Sequence, residues 1–286
     1  MIDIYKKSEL SGLLRRHGFT MSKRLGQNFL TDKNIIDKIV DSLDPKDSDV
    51  VVEIGPGAGA LTKALAERAG KIKSVEIDSK LLPLLNEVLM HHDNVEIINQ
   101  DFMKTDLGKI TNSMSFKLIG NLPYYITTPI IMKVLEQGPI PQSMVFMIQK
   151  EVAQRLASKP GTKDYGAITV AVNYYCTVEY LFTVSKEVFI PKPKVDSAVI
   201  RLKPHDEPPV KVLDENIFFS LIKAGFGQRR KTLSNSLKQI GSLTPTDVKR
   251  ALRDSEIDPA RRAETLEIWE FGRLSDSVTH ILNNRA

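Results

Sequence analysis

Residues 50–61 of this sequence read VVVEIGPGAGAL, and this stretch decides the fold. A short apolar run that ends at a glycine predicts a strand buried on both faces. The glycines that follow allow a tight turn and a close approach of the backbone to a ligand, because they carry no Cβ atom. A helix is predicted from about Ala60 to Ala69, so the segment indicates a strand–turn–helix unit of an α/β fold.

The same alternation continues along the first half of the chain. Further strands are predicted at residues 73–77, 95–99, 116–120 and 144–148. A helix is predicted before the first strand, capped by Thr31 or Asp32, with apolar residues at 35, 36, 39, 40 and 43. Short apolar strands separated by helix-sized segments predict a parallel sheet with helices on both faces.

The second half of the chain has a different pattern. Later strands are predicted at 176–184 and 196–202, followed by a polar, proline-rich stretch at 204–209. Beyond it the pattern is helical only, and the last helix is predicted to bury one stripe formed by Leu266, Trp269, Leu274, Val278 and Ile281. We therefore predict two domains, at residues 1–205 and 206–286.

Composition limits the class of protein. The chain has 286 residues, of which 42% are apolar and 26% charged, with a net charge of +5 and a single cysteine. This composition predicts a soluble protein without a disulfide framework. The longest uncharged stretch, 118–132, is too short to cross a bilayer, and the N-terminus lacks the apolar run of a signal peptide. The expectation is a cytoplasmic protein without a membrane partner.

The glycine turn indicates a nucleotide-containing cofactor. Glu76 stands 21 residues after Gly55, at the end of the second predicted strand, where a carboxylate can accept hydrogen bonds from ribose hydroxyls. The cofactor class stays open, because two glycine patterns fit. Gly55, Gly57 and Ala60 fit a dinucleotide turn. Gly55, Gly57 and Gly59 fit the turn of S-adenosylmethionine enzymes equally well.

The ends of the third and fourth strands carry more specific signals. Asp101 could accept from an adenine amino group and Phe102 could lie against the ring, although a solvated aspartate is the plain alternative. The fourth strand ends in Asn121-Leu-Pro-Tyr124. A purine amine is a poor nucleophile, because its lone pair is delocalised. The Asn121 oxygen and the Leu122 carbonyl could accept its N–H bonds.

The other two residues of this tetrapeptide have complementary properties. Pro123 fixes the turn and keeps Leu122 out of the helical region. Tyr124 offers a flat face to a base and tolerates a nearby positive charge. A hydride-transferring enzyme has no need of such a turn, so methyl transfer to an amine is the favoured reading.

With these motifs the sequence resembles the ribosomal RNA adenine N6,N6-dimethyltransferases, in particular the bacterial small-subunit enzymes. The segments that carry the resemblance are Arg24–Leu30, the glycine turn at 53–59, Glu76, Asp101, Asn121–Tyr124, Phe189–Val195 and Phe226–Leu233. The resemblance implies a Rossmann-like S-adenosylmethionine-dependent methyltransferase domain followed by a small C-terminal helical domain.

The resemblance also implies roles for individual residues. The expected cofactor-binding residues are Asn28, Leu30, Gly55, Gly57, Glu76, Ile77, Asp101, Phe102 and Asn121. The expected catalytic residues are Asn121, Leu122, Pro123, Tyr124 and Phe189, where Phe189 and Tyr124 would form an aromatic clamp around the target base. No metal is expected.

The expected partner is small-subunit ribosomal RNA within a pre-ribosomal particle, bound by a monomer. Residues 216–246 contain five basic residues and no acidic one. The expected RNA-binding residues are Lys23, Arg24, Arg229, Arg230 and Lys231. Three alternatives remain open: a large-subunit rRNA methylase of the antibiotic-resistance type, a DNA adenine methyltransferase, and a non-catalytic ribosome assembly factor.

Overall fold

A computed structural model describes residues 3–228, 230–240 and 243–284. Its strands are β1 Phe29–Leu30, β2 Val50–Ile54, β3 Lys71–Glu76, β4 Val95–Asn99, β5 Phe116–Asn121, β6 Met144–Gln149, β7 Cys176–Val184, β8 Phe189–Ile190 and β9 Ser197–Pro204. Its α-helices are α1 Lys7–Arg16, α2 Lys33–Leu43, α3 Ala60–Ala66, α4 Leu82–Leu89, α5 Leu107–Thr111, α6 Thr127–Glu136, α7 Lys150–Leu156, α8 Ala167–Tyr175, α9 Glu215–Gly227, α10 Leu233–Ser236, α11 Pro245–Asp254 and α12 Ile268–Asn283.

Local sequence explains where these elements begin and end. Asp32 caps α2 by accepting a hydrogen bond from the Ile35 backbone N–H at 3.1 Å. Pro83 lies in the first turn of α4, where its missing N–H costs nothing. Every residue of β2 is buried, as its run of apolar side chains predicts for an inner strand.

The main sheet is mixed. Within the described residues it has the order β4-β3-β2-β5-β6-β9-β7. The strands from β4 to β6 run parallel, with Val50 opposite both Lys71 and Phe116. Strand β9 pairs antiparallel to β6, with Met144 opposite Leu202. The parallel sheet that the sequence predicts is present. Strands β9 and β7 extend it on the side of β6, and the pairing of β6 with β9 is antiparallel.

The chain forms two compact units. The first comprises Met1–Ala153 and Val178–Pro204, and the second comprises Gln154–Thr177 and His205–Ala286. The sequence predicted a single boundary after residue 205. The structure instead assigns the segment Gln154–Thr177 to the second unit. The reason is that Tyr165, Val170 and Tyr174 pack in one hydrophobic cluster with Phe218 and Leu221 of α9.

The second unit differs from the sequence expectation at one aromatic residue. Leu266, Leu274, Val278 and Ile281 are buried as predicted, whereas Trp269 is 48% exposed and its ring is covered by the Arg273 guanidinium at 4.7 Å. Phe271 takes the inward place in the first turn of α12 instead.

No helix in the described ranges combines the length and apolar character needed to cross a bilayer.

Candidate active site

An open cavity of about 150 Å³ lies at the carboxyl ends of β2, β3 and β5 in the first unit. This is the point where the strand order reverses, which is where open α/β sheets bind their ligands. Of the residues predicted to bind the cofactor or the target base, the following line it: Asn28, Leu30, Gly55, Gly57, Glu76, Ile77, Asp101, Phe102, Asn121, Leu122, Pro123 and Tyr124. The structure therefore brings together residues that are nearly 100 positions apart in the chain.

The glycine turn forms one wall of this cavity. Gly55 and Gly57 both have positive φ values, +69° and +58°, which disfavour residues with a Cβ atom. A Cβ at Gly57 would lie 3.1 Å from the Phe29 ring, whereas a Cβ at Gly55 would meet nothing within 4 Å. Packing of the protein itself therefore explains Gly57, whereas the space beside Gly55 is open.

Glu76 presents a buried carboxylate at the end of β3. It is 4% exposed and accepts hydrogen bonds from the backbone N–H groups of Gly57 at 3.2 Å and Asp78 at 2.8 Å. Burial raises the pKa of Glu76, and these backbone donors partly oppose the shift. Each carboxylate oxygen has further acceptor capacity, so the group can still receive two hydroxyl donors.

A polar network joins Glu76 to the segment before β1. Gln27 donates its side-chain N–H to Asp78 at 2.8 Å and accepts from the backbone N–H of Ser22. Sequence reasoning did not single out Gln27 or Asp78. The signal for Gln27 was its place next to Asn28 in the Arg24–Leu30 motif, and the signal for Asp78 was its place two residues beyond Glu76.

The predicted cofactor-binding residues that follow Glu76 in the chain differ in burial. Ile77 is 51% exposed although it is apolar, and it lines the cavity. Phe102 is buried and also borders the cavity. Asp101 accepts a hydrogen bond from the Met103 backbone N–H at 2.9 Å, which caps the short 3-10 helix Phe102–Lys104. An apolar wall beside a carboxylate suits a flat heterocycle with an exocyclic amine.

The Asn121 side chain has a defined orientation. Its Nδ2 group donates to the Asn28 carbonyl at 3.0 Å, which leaves its Oδ1 atom as an acceptor. Leu122 is held by a 3.0 Å hydrogen bond from its N–H to the Met147 carbonyl of β6. The Pro123 carbonyl accepts from the Ile126 N–H at 3.1 Å and closes the turn. The backbone around the predicted acceptors is therefore fixed by neighbouring elements.

Tyr124 lies on the same turn. Its hydroxyl shares a 2.7 Å hydrogen bond with the Ser197 hydroxyl of β9, and burial raises the pKa of this phenol. The ring is thus held at its far end while it borders the cavity. A tyrosine fixed in this way can offer its face to a planar ligand.

Phe189 lies apart from the other predicted site residues. This residue is only 2% exposed, pairs with Leu30 in the two-stranded β1–β8 sheet, and belongs to the hydrophobic core. It is not among the residues that line the cavity. Burial of an aromatic ring is worth roughly 1.5–3 kcal/mol and stabilises this inward orientation, and the aromatic clamp with Tyr124 stays a prediction.

A further buried acid lines the cavity floor. Glu53 of β2 is 1% exposed and accepts hydrogen bonds from the hydroxyls of Thr62 and Ser74, both at 2.7 Å. Burial raises the pKa of Glu53 to about 7. The sequence prediction placed Glu53 in the first strand and at the start of the glycine turn at 53–59, without a role of its own. The sequence feature that could have identified it is its charge, because Glu53 is the single charged residue of the apolar run between Val52 and Ile54.

The residues predicted to bind RNA are divided between the two units. Arg24 in the first unit and Arg230 and Lys231 in the second are exposed. The side chain of Lys23, and Arg229 as a whole, lie outside the described residues. In the part of the chain that the structure covers, no group of three or more His, Cys, Asp or Glu side chains could hold a metal ion.

Comparison with known proteins identifies the family of the chain. The family described as "Ribosomal RNA adenine dimethylase" matches residues 18–279. The Ribosomal RNA small subunit methyltransferase A of Geobacillus thermodenitrificans is 50% identical over 288 residues, covering 96% of this chain and 97% of the relative.

Two solved structures are also similar. A dimethyladenosine transferase from Plasmodium falciparum has a TM-score of 0.74 at 26% identity and covers 86% of this chain and 95% of its own. A 23S rRNA methyltransferase has a TM-score of 0.68 at 29% identity and covers 88% of this chain and 99% of its own. These likenesses confirm the predicted Rossmann-like methyltransferase fold. Because the family match spans most of the chain, the protein belongs to the ribosomal RNA adenine dimethylase family, as its motifs predict.

Proposed function

We propose that this protein transfers two methyl groups in turn from S-adenosylmethionine to N6 of adenosines in small-subunit ribosomal RNA. The observation that carries the proposal is that the Asn121–Tyr124 turn and the glycine turn line the same cavity. The small-subunit substrate is supported by the 50% identity to an enzyme named for that activity, against 29% for the 23S rRNA methyltransferase.

The cavity residues fit the parts of this cofactor. Glu76 would accept hydrogen bonds from the ribose hydroxyls, and Asp101 would accept one from the adenine amino group, with Ile77 against the ring. The methionine portion would lie beside Gly55, where the backbone faces open space. Asn28 and Leu30, from the segment before α2, would close over the bound molecule.

The chemistry rests on the acceptors of the Asn121–Tyr124 turn. S-adenosylmethionine supplies an electrophilic methyl group on a sulfonium. Asn121 Oδ1 and the Leu122 carbonyl would accept the two N–H bonds of the adenine amine, which directs the nitrogen lone pair towards the donor. Tyr124 would stack on the base. Holding the amine in this geometry supplies catalysis by orientation and by fixed dipoles.

No protein base is required by this geometry. The nitrogen becomes strongly acidic once it carries the new methyl group, so water can take its proton after transfer. The first methylation leaves one N–H bond on the amine. Only one of the two acceptors then has a donor to hold for the second transfer, so the second step depends more on stacking against Tyr124.

The target adenosine must be unpaired or turned out of its helix to reach the cavity. Arg24, Arg230 and Lys231, which are exposed, are proposed to contact phosphates, with Lys23 and Arg229 as further candidates. The proposed substrate is rRNA within a partly assembled small subunit, and the proposed working form is a cytoplasmic monomer.

The test is methyl transfer to matched substrates. The protein is incubated with S-adenosylmethionine and, separately, with partly assembled small subunits, free small-subunit rRNA, large-subunit rRNA and duplex DNA. Mass spectrometry of the nucleosides is expected to show N6,N6-dimethyladenosine only with the small-subunit substrates. Dimethyladenosine in large-subunit rRNA alone, or methylation of the duplex DNA alone, would overturn the assignment.

Substitution of Asn121 tests the mechanism in the same assay. Asn121→Ala is expected to lower turnover by about 100-fold or more, because a fixed acceptor for the reacting amine is lost. Affinity for the cofactor should change much less. Asn216→Ala, which alters an exposed asparagine in the first turn of α9, is the matched control. Near-normal turnover of Asn121→Ala would contradict the mechanism.

A further inference from the structure

Two consecutive tyrosines on the catalytic turn have different surroundings. Tyr124 is half-buried and its hydroxyl is bonded to Ser197, as described above. Tyr125 is 61% exposed, yet it borders the same cavity. A single exposed aromatic residue is common on protein surfaces and needs no explanation. The position of Tyr125, on the rim of the cavity that receives the target base, is what distinguishes it.

The ring of Tyr125 is supported from the protein side. A Cβ built on Gly26 would lie 3.5 Å from two atoms of the ring, so the ring lies beside Gly26 of the Arg24–Leu30 motif. Gly26 has a φ of +62° and carries no side chain that could displace the Tyr125 ring. The turn on the other side is fixed by the Ile126 N–H donating to the Pro123 carbonyl. The backbone that carries the aromatic ring is therefore fixed before any ligand arrives.

We propose that Tyr125 is the stacking platform for the nucleobase adjacent to the methylated adenosine in the RNA strand. This inference rests on the proposed function. An adenosine that enters the cavity leaves its neighbour in the strand without a stacking partner. A flat, exposed ring at the rim can replace that partner, and stacking on an aromatic side chain is how proteins hold unpaired bases. The site accepts any base, because every base has a π face.

The first experiment measures RNA affinity and cofactor affinity separately. Tyr125→Ala is expected to weaken binding of a small-subunit rRNA fragment by about 5- to 100-fold, with cofactor affinity nearly unchanged. Tyr125→Phe should restore most of the RNA affinity, since it keeps the ring. Ile140→Ala, which removes a 49% exposed apolar side chain of the same unit that does not border the cavity, is the control and should bind RNA normally.

The second experiment asks which group the ring contacts. RNA fragments are made with an abasic nucleotide on the 5′ or the 3′ side of the target adenosine. On one of these two RNAs, Tyr125→Ala should bind as tightly as the unaltered protein, because the stacked base is already missing. An equal loss on the intact RNA and on both abasic RNAs would overturn the proposal.

Failure of this inference differs from failure of the proposed function. If the unaltered protein methylates small-subunit rRNA while Tyr125→Ala binds and methylates it equally well, only the stacking platform is overturned. If the unaltered protein dimethylates no small-subunit substrate, the proposed function fails, and the stacking role fails with it.

Discussion

At the scale of single residues, Glu53 contributes a carboxyl group to the interior of a strand that is otherwise apolar. It accepts hydrogen bonds from Thr62 of α3 and Ser74 of β3, so it joins three elements beneath the glycine turn. Desolvation favours the protonated form and the two hydroxyl donors favour the ionised form. Desolvation is the larger effect, and the pKa of Glu53 rises to about 7.

This shift predicts how stability depends on pH. The folded protein holds the Glu53 proton more tightly than the unfolded chain, whose pKa is near 4.5. Below that pH both states are protonated and the residue has no effect. As pH rises towards about 7, the unfolded state ionises first, so the free energy of unfolding decreases and stays lower above pH 7.

Glu53→Gln is expected to remove this part of the pH dependence. Its amide oxygen can still accept from Thr62 and Ser74, and it never ionises. Urea unfolding at pH 5 and pH 8 should show a smaller loss of stability for the variant, by about 1–3 kcal/mol. The raised pKa of Glu76 acts in the same direction in both proteins. Parallel pH profiles of the two proteins would contradict the assignment.

The two glycines of the turn should respond differently to alanine. Gly55→Ala introduces strain of roughly 1–2 kcal/mol from its positive φ, and its methyl group enters the space assigned to the cofactor. We expect it to fold but to bind S-adenosylmethionine more weakly, by about 10-fold or more. Gly57→Ala should instead lower the melting temperature further, because its methyl group would press on the Phe29 ring. Calorimetric titration and thermal unfolding measure the two effects. Normal cofactor affinity in Gly55→Ala would show that the cofactor does not lie against the backbone of Gly55.

Phe189 shows why a motif can predict a role without predicting an orientation. Its role was implied by the family resemblance that the Phe189–Val195 motif carries. Which face of a two-residue strand points inward depends on its partner, here β1, and the partner is distant in sequence. By contrast, Gly55, Glu76, Asp101 and Asn121 lie at or just beyond the carboxyl ends of predicted strands, so the sequence alone was sufficient to bring them to one edge of the sheet.

At the scale of elements, the segment from Ser22 to β1 is held to the sheet at separate points. Gln27 donates to Asp78, and the Asn28 carbonyl accepts from Asn121. Strand β1 also pairs with β8. Asp78 in turn donates its backbone N–H to Glu76, the residue that is proposed to bind the ribose. Contacts of this kind fix the segment that is proposed to close over the cofactor.

Breaking the Gln27 contact should therefore affect cofactor binding more than stability. Gln27→Ala removes a hydrogen bond to a charged group, worth about 1.5–3 kcal/mol, and is expected to weaken S-adenosylmethionine binding by about 5- to 20-fold. The melting temperature should fall by only a few degrees. Gln100→Ala, at an exposed glutamine that borders the same cavity, is the matched control. Equal cofactor affinities in the two variants would exclude a positioning role for Gln27.

The elements themselves were predictable to different degrees. Strands β2 and β4 agree with the sequence prediction at both ends, because a mainly apolar run or a bounding turn defines them. The antiparallel pairing of β6 with β9 could not be predicted, since strand sequence does not encode the direction of its partner. Helix α3 ends at Ala66, three residues early, where the chain turns towards β3.

At the scale of the whole molecule, the two units have different contents. The first carries the cavity and its acidic groups, and the second consists mainly of helices around its own hydrophobic cluster. Residues 216–246, which lie in the second unit, contain no acidic residue. The sequence predicted this charge pattern directly, because charge is a property of composition and does not depend on the fold.

Exposed Arg230 and Lys231 follow α9, where the Lys231 N–H donates to the Gln228 carbonyl in a turn. If both side chains contact RNA phosphates, the double substitution Arg230→Gln, Lys231→Gln releases fewer counterions on binding. The slope of log affinity against log salt concentration should then become shallower by ~1.5, given ~0.7–0.9 per phosphate contact. The control replaces Lys249 and Arg253, two exposed basic residues of α11, by glutamine and so removes the same charge from the same unit. Equal slopes for the two double variants would mean that net charge alone, and no local phosphate contact, governs RNA binding by this unit.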